Sequence, residues 1–131
     1  MKILLDTSAY SAFKRGNNQI LDLVRQSEEI FFSSVVAGEL LAGFRRGNRF
    51  QTNFNELKAF IDHPQVRLMQ VSLTTANRYG LIYASLRRIG SPIPTNDMWV
   101  AAHALETGAE LVAFDRHFEL IENLALIKLG N

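Results

Sequence analysis

Short, continuously apolar runs alternate along the chain with longer stretches in which apolar positions recur every three or four residues. The run from Lys2 to Leu5 reads as a buried strand closed by Asp6, and Asp6-Thr7-Ser8 supplies helix-start chemistry. Ile20 to Val24 belong to a helical stretch ending near Gln26, and Ile30 to Phe32 form a second strand. Ser33 or Ser34 caps a helix that runs to about Arg46 and stops at Gly47. Phe50 to Ile61 is helical up to His63-Pro64, and Val66 to Val71 is a third strand. Thr74 or Thr75 opens a long helix through Arg88 that Gly90 terminates, and Ser91-Pro92-Ile93-Pro94 is a turn with room for only a minimal strand. Thr95 caps a helix to about Thr107 that Gly108 ends, Leu111 to Phe114 is a strand closed by Asp115, and Arg116 begins a helical turn. Leu124 to Leu129 closes the chain as an edge strand.

Short apolar strands separated by helices predict a parallel sheet covered on both faces and joined by right-handed crossovers. In such sheets function gathers at the carboxyl ends of the strands. Asp6 and Asp115 each occupy that end of their strand, so they are expected on one edge of the molecule. No repeat, linker or low-complexity segment interrupts the pattern, and residues 1–131 are expected to form one α/β domain.

Two further acids fall inside helical stripes. Glu39 shares a face with Val35, Val36, Ala42 and Gly43, and Asp97 with Val100, Ala101, Ala104 and Leu105. Each acid has an ordinary alternative: a cap for Asp6 and Asp115, service to the helix dipole for Asp97, a buried arginine partner for Glu39. Together they are harder to dismiss. Two carboxylates roughly 5 Å apart repel by about 3 kcal/mol at an effective dielectric of about 20, so a cluster holds either protons or a cation. Oxygen-only ligands suit Mg²⁺, with Mn²⁺ as the second choice, and such ions serve in-line phosphodiester displacement. Thr7, Ser8 and Asn96 adjoin the acids and are candidates to orient water there, or else simple capping residues.

Composition narrows the class without identifying it. The 131 residues contain 47% apolar and 21% charged side chains, which argues against disorder. There is no cysteine, which removes disulfides, thiolate sites and cysteine nucleophiles and favours a reducing compartment. No apolar run approaches the roughly 20 residues of a membrane span, and no signal-peptide core precedes the first acid, so a cytoplasmic location is expected. Net charge is +1, from 14 basic and 13 acidic residues. Local groups matter more: Lys14 and Arg15, then Arg45, Arg46 and Arg49, then Arg87 and Arg88. They are candidates to track a phosphate backbone, or are solvated helix ends.

Competing chemistries find little support. Neither GxxxxGK[ST] nor GxGxxG occurs, and no serine sits in a nucleophile elbow. His63, His103 and His117 are too scattered for zinc; His103 is read as structural, and His117, though close enough behind Asp115 to support the acids, as a capping or packing residue.

The residues now quoted resemble a known family. LLDTSAY, the mid-chain VVAGELLAG and PTNDMWVAAHALETGAELVAFDRHF are similar to PIN-domain nucleases, and most of all to the VapC toxins of toxin-antitoxin pairs. The resemblance covers nearly the whole chain. It implies a three-layer α/β/α sandwich and a Mg²⁺- or Mn²⁺-dependent endoribonuclease that cuts structured RNA such as tRNA or ribosomal RNA. It also implies a homodimer and a cognate antitoxin in a hetero-oligomer. Asp6, Glu39 and Asp97 match the family's three acidic ligands and Asp115 the more variable fourth; Thr7 or Ser8 and Asn96 match its polar neighbours. Many members carry Thr or Ser two residues before the fourth acid, where this chain has Ala113, so the role of Asp115 stays open. The region from Phe31 to Phe60, with Phe32, Leu40, Leu41, Phe44, Phe50, Phe54 and Phe60, is either an antitoxin groove or core. Three rivals remain: an RNA-processing nuclease that is not a toxin, a non-catalytic binding module of the same fold, and an aspartyl phosphatase. Ser8 argues against the last, which needs a second acid two residues after the first.

Overall fold

A computed structural model describes residues 1–130. Its elements run β1 (Lys2–Leu5), α1 (Thr7–Lys14), α2 (Asn18–Gln26), β2 (Glu29–Ser33), α3 (Ser34–Arg45), α4 (Phe50–Ile61), β3 (Val66–Met69), α5 (Leu73–Ile89), α6 (Thr95–Thr107), β4 (Glu110–Ala113), a 3-10 turn (Arg116–Leu120) and β5 (Leu126–Lys128). The five strands form one sheet in the order β3-β2-β1-β4-β5. Every pairing is parallel, so the mainly parallel sheet expected from the pattern is wholly so.

Alternation along the central strand separates the two faces. Ile3 and Leu5 point into one apolar layer with Ala9, Ala12 and Ile20 of α1 and α2. Leu4 points into the other, where Val36, Leu40, Leu57, Leu86, Val100 and Ala104 bring α3 to α6 against the sheet. This is the three-layer sandwich, and side chains of both signs of the pleat are buried because both faces are covered. The larger layer holds an aromatic cluster: Phe32 lies 5.6 Å from Tyr10 and 5.3 Å from Phe60, ring centre to ring centre. Thr75 of α5 donates to Glu106 at the far end of α6, while Tyr79 stacks on Trp99 at 4.0 Å, so these two helices run antiparallel. The C-terminus of α5 therefore returns to where α6 begins.

Local signals differ from the sequence expectation at several ends. Ser72, not Thr74 or Thr75, caps α5, and Thr75 completes a capping box with it. Pro94 precedes α6 as the capping position and Thr95 is already helical, without a side-chain cap. β3 stops at Met69 short of Val71, and β4 spans Glu110–Ala113, one residue earlier than Leu111 to Phe114. No strand forms at Ser91 to Pro94. Gly90 (φ 68°) and Gly108 (φ 75°) end α5 and α6 in the left-handed conformation that their sequence positions foretold. Among the described residues no helix is long and apolar enough to cross a membrane.

Candidate active site

The edge formed by the carboxyl ends of β1 and β4 collects the acids. Leu5 pairs with Val112, and the Asp6 N–H donates to the Val112 carbonyl, so Asp6 leaves the sheet beside Ala113 and two residues short of Asp115. Its side chain is also the cap of α1, accepting from the Ala9 N–H at 2.8 Å and from the Ser8 hydroxyl at 2.9 Å. Capping and site membership are thus compatible. Asp6 is buried to 7% exposure.

α3 enters from the end of β2, where Ser33 caps it. That places Glu39 within reach of α1, and Thr7 Oγ1 donates to Glu39 Oε1 at 2.8 Å. The face of Glu39 is only half closed, since Val36 is buried but Ala42 is exposed, so the fully inward direction expected from the stripe is corrected to a half-buried one. No arginine pairs with Glu39 among the described residues, which removes its ordinary alternative. Asp97 sits in the first turn of α6, above the buried Val100, Ala101 and Ala104.

These acids feel one another. Burial, reinforced by the charges of Asp97 and Glu39, pushes the Asp6 carboxyl from 3.8 to about 6, against the hydrogen bonds from Ala9 and Ser8. Asp97 is likewise raised, chiefly by burial, with Glu39 and Asp115 adding to it and His117 opposing. His117 stands between two of the acids, with Nε2 2.6 Å from Asp97 Oδ2 and Nδ1 3.0 Å from Asp115 Oδ1. Nε2 is buried without an aligned hydrogen-bond partner, so its approach to Asp97 is a close polar contact off the ideal hydrogen-bond line. Asp115 caps the 3-10 turn through the His117 N–H and is the most open of the four, with its side chain 55% exposed.

Sequence reasoning assigned His117 to capping or packing; its contact with Asp97 spans 20 residues of chain and carried no local signal. His103 fits its structural reading. It is fully buried, meets Ser33 Oγ through Nδ1 at 2.9 Å and the Gln70 carbonyl through Nε2 at 3.1 Å, and burial lowers its pKa. Asn96 is exposed and makes no hydrogen bond to the acids among the described residues. The basic groups are less uniform than their spacing implied. Lys14 pairs with Glu56 at 3.1 Å, Arg45 lies 3.5 Å over the Phe50 ring, and Arg15, Arg46 and Arg49 are exposed. Arg87, which the spacing had only grouped with Arg88, lines a cavity of about 500 Å³ with Thr95 and Met98, the neighbours of Asp97. Of the apolar region from Phe31 to Phe60, Phe32 and Leu40 are core, Leu41, Phe44 and Phe60 pack on it, and Phe50 stacks on Phe54 at 5.8 Å.

The donor set fits a hard divalent cation: carboxylate oxygens only, from separate segments, with two of the acids, Asp6 and Asp97, held above their ordinary range by burial and by neighbouring acids. Among the described residues no three such groups already converge in a shared metal-binding arrangement. Glu39 is turned to Thr7 and Asp97 to His117, partners that satisfy mutually repelling acids.

A parallel sheet of this order with acids gathered at one edge defines a class of α/β nuclease-like domains, and the comparison is specific. The chain belongs to the PIN domain family, whose model matches residues 3–124. Among curated relatives, it is 29% identical over 131 residues to ribonuclease VapC2 of Rickettsia felis, with 96% of each chain covered. It is 23% identical over 129 residues to ribonuclease VapC1 of Haemophilus influenzae strain R2866, with 95% of each covered. Among solved structures it resembles VapBC2 from Rickettsia felis bound to a DNA fragment from their promoter, with a TM-score of 0.86 at 26% identity over 99% of this chain and 100% of that one. DNA-bound VapBC from Salmonella typhimurium has the same TM-score of 0.86 at 24% identity over 98% of each chain, a likeness of fold.

Proposed function

We propose that this chain is a divalent-metal-dependent endoribonuclease, Mg²⁺ or Mn²⁺ serving as cofactor, that acts in the cytoplasm as the toxin of a toxin-antitoxin pair. The observation that carries the reading is the buried Asp6 carboxylate at the end of β1, close enough to Asp97 and Glu39, from two other segments, for their charges to add to the rise in its pKa. When bound, such a cation supplies Lewis-acid polarisation of a phosphodiester and a route to activating water at neutral pH.

The chain's own residues take the remaining roles. Asp6, Glu39 and Asp97 hold the cation, and Asp115 supports them from the rim. Thr7 fixes the Glu39 carboxylate and Ser8 that of Asp6. The exposed Arg15, Arg46 and Arg49 bind the RNA backbone together with Lys14 and Arg45, and Arg87 adjoins the acid edge. The names of the relatives, ribonucleases and VapBC complexes, support RNA as substrate and an antitoxin as partner. Structured RNA of the tRNA or ribosomal type is the expected target. A cavity of about 370 Å³ lined by Tyr10, Leu40, Phe44 and Glu56 among α1, α3 and α4 is the seat proposed for an antitoxin segment. Self-association into a dimer is part of the same reading.

The test is RNA cleavage by purified protein with Mn²⁺ and with chelator. Asp97→Asn keeps volume and removes charge, so cleavage should fall by at least about a hundredfold while the melting temperature holds or rises. Unaltered cleavage by folded Asp97→Asn protein would refute the assignment, and cleavage insensitive to chelator would remove the metal.

A further inference from the structure

Asp115 and Asp97 meet the same imidazole from opposite edges. His117 Nδ1 and the His117 backbone N–H both stand 3.0 Å from Asp115 Oδ1, so Asp115 is tied to the residue two positions ahead of it. On the far edge of the ring, Nε2 stands 2.6 Å from Asp97 Oδ2. Phe118, itself 1% exposed, packs against the imidazole edge to face at 4.8 Å and restrains its plane.

The two acids differ in their relation to the rest of the site. Asp97 is 23% exposed at the side chain and Asp115 is 55% exposed. The charges that bear on Asp6 are those of Asp97 and Glu39, and the charge of Asp115 bears on Asp97. Ala113, fully buried two residues earlier, presents only a methyl group and offers nothing to aim Asp115 inward. Every polar contact of Asp115 is with its own turn.

We propose that Asp115 acts through His117, as the outer member of a carboxylate–imidazole–carboxylate chain that aims Asp97 into the site, and is a positioning residue that does not itself bind the cation. This rests on the metal-dependent reading given above. A carboxylate held 3.0 Å from Nδ1 restrains the orientation of the imidazole. The opposite nitrogen then restrains one oxygen of Asp97 and leaves the other free of the ring. The departure at Ala113 is accounted for in the same way, because the fourth acid needs no hydroxyl to steer it when its partner is His117.

The experiment is a double-mutant cycle on the full chain, read by Mn²⁺ titration calorimetry. Asp115→Asn and His117→Ala should each weaken Mn²⁺ binding about tenfold, and the double variant should bind no more weakly than His117→Ala alone. A further tenfold loss in the double variant would mean that Asp115 binds the ion directly, and the proposal would be overturned. Should His117→Ala fail to fold, His117→Gln takes its place in the cycle. The second readout needs no cation: the ¹⁵N shifts of the His117 ring in chelator should move in both Asp115→Asn and Asp97→Asn. Ring shifts unchanged in Asp115→Asn would break the chain whatever the calorimetry gave. If the unmodified protein takes up no Mn²⁺, the metal reading fails by itself, and the ring shifts still decide the positioning role.

Discussion

Asp6 does two jobs whose electrostatic demands conflict. As the cap of α1 it accepts from the Ala9 N–H, which favours the charged form, while burial and the charges of Asp97 and Glu39 favour the neutral one and prevail. An acid raised from 3.8 to about 6 binds more protons in the native than in the unfolded state between those values, so its contribution to stability falls as pH rises across that window. The full difference is about 3 kcal/mol, an upper bound for a cation-free protein at pH 7. Asp6→Asn keeps an oxygen for the Ala9 N–H and loses the charge. It should therefore raise cation-free stability at pH 7 by about 1–3 kcal/mol and change it little near pH 4, as urea unfolding in chelator would report. A variant no more stable than the parent at pH 7 would show that Asp6 is not under this stress.

At the scale of elements, His103 ties α6 to the end of β2 and to the chain leaving β3. The Ser33 hydroxyl donates to Nδ1 while its oxygen accepts from the Val35 N–H, and Nε2–H donates to the Gln70 carbonyl, so the neutral ring completes the network. Phe in its place fills most of the volume and strands the Ser33 hydroxyl, at a cost of about 1–3 kcal/mol. The pH trend is opposite to that of Asp6. A histidine whose pKa is lowered on folding contributes stability above its unfolded value of 6.5 and loses it as pH falls below that value. The deficit of His103→Phe should thus be largest near pH 7.5 and shrink toward pH 5; equal deficits at both would mean the ring is not held neutral. The helices and strands were legible because covered parallel strands read as unbroken apolar runs and the helices carry clear stripes. Their ends were less so. Ser72, Thr74 and Thr75 offer three hydroxyls in four residues, and only tertiary contact with Glu106 selects Thr75 as the inner one. β3 shortens because it is an edge strand with pairing on one side.

For the whole molecule, the acids were legible because their strand ends and helix faces converge on one sheet edge whatever the loop details. The Asp115–His117–Asp97 chain was not, since it depends on how the 3-10 turn folds back over α6. The sheet order is what gives the site its thermodynamics: it fixes backbones rigidly around carboxylates that repel, and under the proposed function a divalent ion would relieve that repulsion. An ion that binds the native state and not the unfolded chain stabilises by about 2.7 kcal/mol at a hundred times its dissociation constant, which is roughly 8–12 °C in melting temperature for a chain of this size. Mn²⁺ should accordingly raise the melting temperature of the parent protein at pH 7.5, and much less that of Asp6→Asn or Asp97→Asn. Protons compete for the same oxygens, so the gain should dwindle as pH falls through about 6, where Asp6 becomes protonated. A Mn²⁺-induced shift of equal size in all three proteins, or one that does not diminish by pH 5, would place the ion elsewhere on the molecule and separate the acid edge from metal binding.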